Sequence, residues 1–184
     1  MDTAIYPIMV ERETTTLSDS TGYTFVPMTE GVARDILGWR YDAPYTFYNG
    51  NAATIDDDLD ELMGGSYWSA HNSDGRLVGF FTAGPSGQVP GGHIQGVYTD
   101  DALDVGLGLR PDLAGQGAGL QFVLAGLAFL RHEREPTAFR LAVAVENVRA
   151  IKVYERAGFE GLTTFSSPVL AGGNRKFLLM VRPA

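Results

Sequence analysis

The sequence predicts an α/β fold of the mixed, α+β kind. Three observations carry this. Hydrophobic spacing switches along the chain between a period of two and a period of about 3.6. The resulting elements run β-α-α-β-β-β-α-β-α-β-β, which is not the strict alternation of a parallel doubly wound sheet. At 184 residues, with ordinary apolar content, the chain is long enough for one core and short for two. Residues 21–184 therefore read as one domain. Residues 1–20 hold a Thr/Ser cluster (Thr14 to Thr16, Ser18, Ser20) and little periodicity, and read as a tail or an extra edge strand.

Tyr23 to Pro27 reads as the first strand, and Thr29 as the cap of a helix with Val32, Ile36 and Leu37 at helical spacing. An aromatic segment follows, with Trp39, Tyr41, Tyr45, Phe47 and Tyr48 interrupted by Pro44 and Asn49-Gly50. Thr54 is expected to cap a second helix with Asp57 as its capping-box partner. Ile55, Leu59, Leu62 and Met63 form the buried stripe of that helix, and Gly64-Gly65 its end. Tyr67 to His71 and Leu77 to Ala83 form a hairpin across Asn72-Ser73-Asp74-Gly75. After a Gly/Pro loop (Gly84 to Gly92) come a strand over Leu103 to Arg110, a helix over Gly117 to His132 and a strand over Phe139 to Val145. A helix over Asn147 to Ala157 and two strands near Leu162 to Phe165 and Lys176 to Val181 complete the pattern. In the helix over Gly117 to His132, Leu120, Val123, Leu124, Leu127 and Leu130 form the expected core stripe.

Composition excludes several classes. The chain has no cysteine, which removes disulfides, thiolate metal sites and a cysteine nucleophile. His71, His93 and His132 lack ligand spacing, so no metal is expected. A formal charge of −8 opposes nucleic-acid binding and suits either solubility or a cationic substrate. The N-terminus reaches no basic residue before Arg12, unlike a signal peptide, and the longest apolar run, near Leu120 to Leu130, is too short for a bilayer. A soluble cytoplasmic protein without a membrane partner, monomeric or homodimeric, is expected.

The chemistry concentrates between Leu103 and Phe159. In the strand, Leu103, Val105, Leu107 and Leu109 alternate with Asp104, Gly106, Gly108 and Arg110. One face is core, and the nearly bare one suits either close approach by a ligand or a kinked edge. The chain then runs through Pro111-Asp112-Leu113 into Ala114-Gly115-Gln116-Gly117-Ala118-Gly119, which opens a helix. Glycines there leave amides uncovered, and the helix dipole adds positive potential, so the turn can cradle a pyrophosphate. A dinucleotide-binding turn is the rival reading, with Glu146 placed as a ribose acid. Its spacing fails, because position 120 is Leu120 where a third glycine belongs. In the segment Asn147 to Phe159, Asn147 serves as a helix cap, Gly158 as a helix end, and Ile151 with Tyr154 as a core pair.

Together, the strand, the Gly-X-Gly-X-Gly helix start, the second strand and Asn-X-X-Ala-X-X-X-Tyr-X-X-X-Gly-Phe resemble the GNAT acetyltransferase superfamily. The run Gly106 to Gly117, with Trp39-Arg40-Tyr41 and Pro44-Tyr45, is similar to a bacterial branch of unsettled substrate. The resemblance implies a mostly antiparallel sheet of six to seven strands, flanked by helices and splayed between its two central strands. It also implies acetyl-CoA as cosubstrate and an amine as acceptor. The turn Ala114, Gly115, Gln116, Gly117, Ala118 and Gly119 would hold the pyrophosphate. The backbone at Val105, Leu107 and Leu109 would pair with the pantetheine arm, Asn147 would contact that arm, and Tyr154 would protonate the departing thiolate. The family commonly has Gln or Arg where this chain has Ala114, so Arg110, Lys152 or Arg149 is expected to supply the missing charge.

Acyl transfer needs a neutral amine, and a lysine-like amine with pKa ~10.4 arrives as ammonium. Asp104, on the open strand face, is the first candidate base and Glu146 the second; ordinary surface charge is the plainer account of Glu146. Trp39, Tyr41, Tyr45 and Tyr48 are candidate walls of the acceptor pocket, since aromatic faces accept ammonium groups. The acids Asp56, Asp57, Asp58, Asp60 and Glu61 read as helix-start charges or as an acidic mouth. A Rossmann-like oxidoreductase and a CoA-binding module without activity remain as alternatives.

Overall fold

The computed structural model describes residues 22–50, 53–99, 101–168 and 173–184; the expectation for residues 1–20 lies outside them. One seven-stranded sheet has the order β1-β2-β3-β4-β5-β7-β6. Its strands are β1 (Tyr23–Pro27), β2 (Tyr67–Asn72), β3 (Leu77–Ala83), β4 (Leu103–Leu109), β5 (Ala138–Ala144), β6 (Glu160–Pro168) and β7 (Asn174–Pro183). Every neighbouring pair is antiparallel except β4 with β5. The helices are α1 (Glu30–Leu37), α2 (Ile55–Met63), α3 (Pro90–Ile94), α4 (Gly119–Arg134) and α5 (Val148–Arg156). Among the described residues no helix is long and apolar enough to cross a membrane.

The period-two pattern of the strands sorts side chains to two faces. On one face Phe81, Val105, Phe139, Leu141, Val143 and Met180 meet Phe122, Leu127 and Leu130 of α4, with Ile151 and Tyr154 of α5 against them. On the other, α1 and α2 bring Ile36 and Leu62 to Tyr67 and Phe80, while Phe177 and Leu179 pack with Phe165 beyond them. The core stripe of α4 differs from expectation at one position. Leu124 is exposed, and Phe122 and Phe129 are buried, because the face turned to the sheet is wider than a strict leucine stripe. The cap of α2 differs too: the Thr54 side chain makes no capping bond to the helix amides and its hydroxyl donates instead to Asp58 Oδ2 at 3.0 Å.

The feature that makes a site is the junction of β4 and β5. They pair only at Leu103↔Phe139 and Asp104↔Arg140. Beyond that, β4 continues along β3 as far as the pair Gly79↔Leu109, and β5 continues along β7 as far as Ala144↔Phe177. The two strands part, and a cleft opens between them.

Candidate active site

The cleft is part of a cavity of about 660 Å³. Val105 to Leu109 form one wall, Leu141 to Val143 face them from β5, and α5 contributes Asn147, Arg149 and Tyr154. At one end stand Ala114, Gly115, Gly117 and Gly119, ahead of α4. Trp39, Tyr41 and Tyr48 also line the cavity with Asp58, Glu61, Tyr67 and Phe80, and so does Tyr45, which the Arg149 guanidinium links to the glycine turn.

The glycine turn has the form that anion binding needs. Gly115 and Gly117 have φ of +83° and +88°, a region closed to most L-residues. Among the described residues the N–H groups of Gly117, Ala118 and Gly119 meet no acceptor, and they lie at the positive end of the 16-residue α4. An added Cβ at Gly117 would meet nothing within 4 Å, so the surface over the turn is open. Of the three cations considered in place of a charged residue at Ala114, Arg149 is the one that lies beside the turn. A Cβ at Gly115 would lie 3.4 Å from Arg149 Nη1, and the guanidinium stacks 4.5 Å from the Tyr45 ring centroid. The other two candidates are elsewhere. Arg110 is held by Asp112 and by the Leu77 carbonyl at 2.7 Å, and Lys152 is exposed outside the cavity lining. Gln116 turns its amide to the Asp112 carbonyl, and neither it nor Ala118 lines the cavity.

The bare face of β4 needs correction. It is filled rather than open: a Cβ at Gly106 would come 2.7 Å from Thr82 Cγ2, and one at Gly108 would strike the Phe80 ring. These glycines make room for β3 side chains, and the cavity reaches β4 through the gap beside its backbone.

The two sequence-derived bases both lie outside the cavity lining. Asp104 is 4% exposed, bonded to Arg140 Nε at 2.6 Å and Nη2 at 2.8 Å and to Gln88 Nε2 at 2.5 Å, and it does not line the cavity. Strand parity placed it correctly on the face opposite Val105, but Arg140 and the loop carrying Gln88 cover that face. Glu146 pairs with Arg175 at 3.2 Å and is also outside the lining. The cavity-lining acids are instead Asp58, half-buried, and Glu61, itself exposed, while Asp56, Asp57 and Asp60 are exposed and outside the lining. The spacing of three that puts them on one side of α2 is shared by Asp57 and Asp60, so sequence alone does not single them out.

Asn147 caps α5 through the Ala150 amide at 3.2 Å and donates from Nδ2 to the Tyr48 hydroxyl at 3.2 Å, so one side chain ties α5 to the aromatic loop. Tyr41 donates to the Leu109 carbonyl at 2.9 Å, tying the same loop to β4. Burial raises the Tyr154 phenol well above its ordinary pKa, and the neighbouring Tyr48 and Tyr41 raise it further. Burial likewise pushes Tyr41 up to about 12. Tyr154 is therefore a protonated phenol in the cavity at neutral pH.

Comparison with known proteins fits this geometry. A sequence model described as the acetyltransferase (GNAT) family matches residues 33–159. The chain belongs to the GNAT family. Mycothiol acetyltransferase from Streptomyces coelicolor is 40% identical to the GNAT chain over 84 residues, which is 45% of this chain and 27% of that protein. The enzyme of the same description from Streptomyces bingchenggensis is 31% identical over 115 residues, 61% of this chain and 34% of that protein. The chain therefore matches well under two thirds of the length of these relatives. In fold, the spermidine N-acetyltransferase of Vibrio cholerae, solved with CoA and spermine, superposes with TM-score 0.65 at 16% identity, covering 89% of this chain and 96% of that one. A GNAT-family acetyltransferase from Bacillus anthracis gives 0.64 at 13% identity, covering 88% and 94%. At such identities the likeness is one of fold, including the mostly antiparallel sheet flanked by helices.

Proposed function

We propose that this chain transfers an acetyl group from acetyl-CoA to a primary amine, with both bound together in the cleft between β4 and β5. One observation carries the reading: a single cavity joins an anion-binding turn at the head of α4 to an aromatic and acidic pocket, with the protonated Tyr154 in its wall. The free amides of Gly117, Ala118 and Gly119, with Arg149, suit the pyrophosphate, and the unpaired edge of β4 suits an amide-bearing arm. Acetyl-CoA supplies the activated acyl group. The chain's part is to align the amine with it, which accounts for much of the acceleration, and to deliver the Tyr154 proton to the sulfur that leaves. Trp39, Tyr41 and Tyr48 wall the acceptor end and accept a cationic head against their rings, while the Tyr45 ring carries Arg149.

The test begins with binding. Acetyl-CoA at about 100 times its Kd is expected to stabilise the fold by ~2.7 kcal/mol and raise Tm by roughly 5–10 °C, whereas NAD is expected to give no shift. Gly117→Val places a branched side chain in the open space over the turn, and Gly119→Val wedges one between the turn and Val153 of α5; both should abolish the shift, whatever they do to the baseline Tm. A full shift in both variants removes the pyrophosphate assignment. Release of free thiol in the presence of primary amines then separates an enzyme from a binding module.

A further inference from the structure

Asp104 and Glu146 are occupied elsewhere, and the acceptor's ammonium must still lose a proton within the cavity. The two lining carboxylates are not equivalent. Asp58 accepts from the Thr54 hydroxyl at 3.0 Å near the start of α2. Glu61 accepts a 2.7 Å bond from the phenol of Tyr67, a residue only 8% exposed that opens β2 and packs against the Phe80 ring at 6.1 Å. Tyr67 faces Thr82 across β2 and β3, and Thr82 faces Gly106 across β3 and β4. This cross-strand row runs from the carboxylate to the cleft wall. In it the Thr82 hydroxyl is buried, at 2% exposure, next to the Tyr67 phenol. A rigid aromatic donor thus fixes Glu61 at the acceptor end, with Trp39 and Phe80 as apolar walls.

We propose that Glu61 is the general base of acetyl transfer, taking one proton from the acceptor's ammonium, and that Tyr67 is its positioning residue. This rests on the acetyl-transfer reading above. The balance is as follows. The ammonium gives one proton to Glu61, the neutral nitrogen forms the C–N bond, and the C–S bond breaks. The sulfur takes the Tyr154 proton, and the second proton leaving nitrogen restores the phenol. Glu61 then returns its proton to water, so the net products are the amide, free thiol and one proton. The titratable groups beside Glu61 are Asp58 and Tyr67; on the cavity's other walls are Tyr41, Tyr45, Tyr48, Tyr154 and the cations Arg149 and Arg156.

The experiment compares wild type, Glu61→Gln, Asp58→Asn and Tyr67→Phe on a panel of primary amines at pH 7.5, led by hexylamine and glycinamide. A simple alkylamine (pKa about 10.4) is then almost wholly ammonium, whereas an α-amino group (pKa about 8) is substantially neutral. Glu61→Gln is expected to lower kcat on hexylamine by ~10²-fold or more, to cost far less on glycinamide, and to recover as pH rises. Tyr67→Phe should reproduce part of the kcat loss, and Asp58→Asn should change KM and its salt dependence while leaving kcat near wild type. Two results overturn the assignment: a wild-type kcat for Glu61→Gln on both amines, or equal KM effects of Glu61→Gln and Asp58→Asn with kcat unchanged, which is plain charge attraction. A wild type that binds acetyl-CoA and acetylates no amine of the panel overturns the underlying reading itself, and is told apart because it needs no variant.

Discussion

Tyr154→Phe is expected to lower kcat by ~10²–10⁴-fold while acetyl-CoA binding and folding stay intact, since one positioned acid typically contributes that much. The variant deletes a single oxygen. The ring keeps its edge contact with Phe159, at 6.1 Å between centroids, and its place among the apolar residues on α4's side of the sheet. The phenol's pKa is raised, so it holds its proton throughout the range in which the enzyme would work. The sign follows: no loss of activity from Tyr154 ionisation should occur at or below the ordinary tyrosine pKa of about 10, and any basic limb would lie above it. Single-turnover rates with the thioester preloaded isolate the chemical step. An unchanged rate there would leave Tyr154 as packing only.

Arg140→Met is expected to cost about 3–5 kcal/mol, a fall in Tm of roughly 6–20 °C, because it strands the Asp104 carboxylate in the interior. Arg140 is 2% exposed, bonds Asp104 through Nε and Nη2, and lies 5.0 Å from the Tyr98 ring centroid. Adding Asp104→Leu should return most of the loss, since an apolar pair of similar volume often replaces a buried ion pair at little cost. The ion pair joins the last two residues at which β4 and β5 are hydrogen-bonded neighbours. It stands at the point where the cleft begins, which gives Asp104 a structural reason to be buried. Thermal unfolding of the single and double variants decides the matter; a single variant within 1 kcal/mol of wild type would mean that Asp104 is not a buried, uncompensated charge.

Much of this molecule could be read from local pattern. The alternation Leu103, Val105, Leu107, Leu109 named the core face of β4, and the glycines before Leu120 marked the turn that opens α4. Both are local: a strand's period of two and a helix's first turn are set by residues within a few positions. The aromatic run Trp39 to Tyr48 was legible for the same reason, since rings so dense in an interrupted segment need a common surface to cover.

What escaped the sequence is what depends on contacts distant along the chain. Asp104 and Arg140 are 36 positions apart, and only the parallel pairing of β4 with β5 sets them face to face. Nothing local distinguishes Asp104, aimed at a buried guanidinium, from an acid aimed at a ligand. Gly106 and Gly108 look like an open floor until β3 lays Thr82 and Phe80 across them. Arg149 could be separated from Arg110 and Lys152 only once α5 had been docked beside the turn. Among five neighbouring acids of α2, the sequence alone determined a charged helix start. The tertiary structure decided that Asp58 and Glu61 face the cavity, and that Tyr67, reaching back from the next strand, fixes the second of them. The physical reason is that composition and periodicity set which groups a segment carries, whereas a carboxylate's role depends on the donors around it, and those come from other parts of the chain.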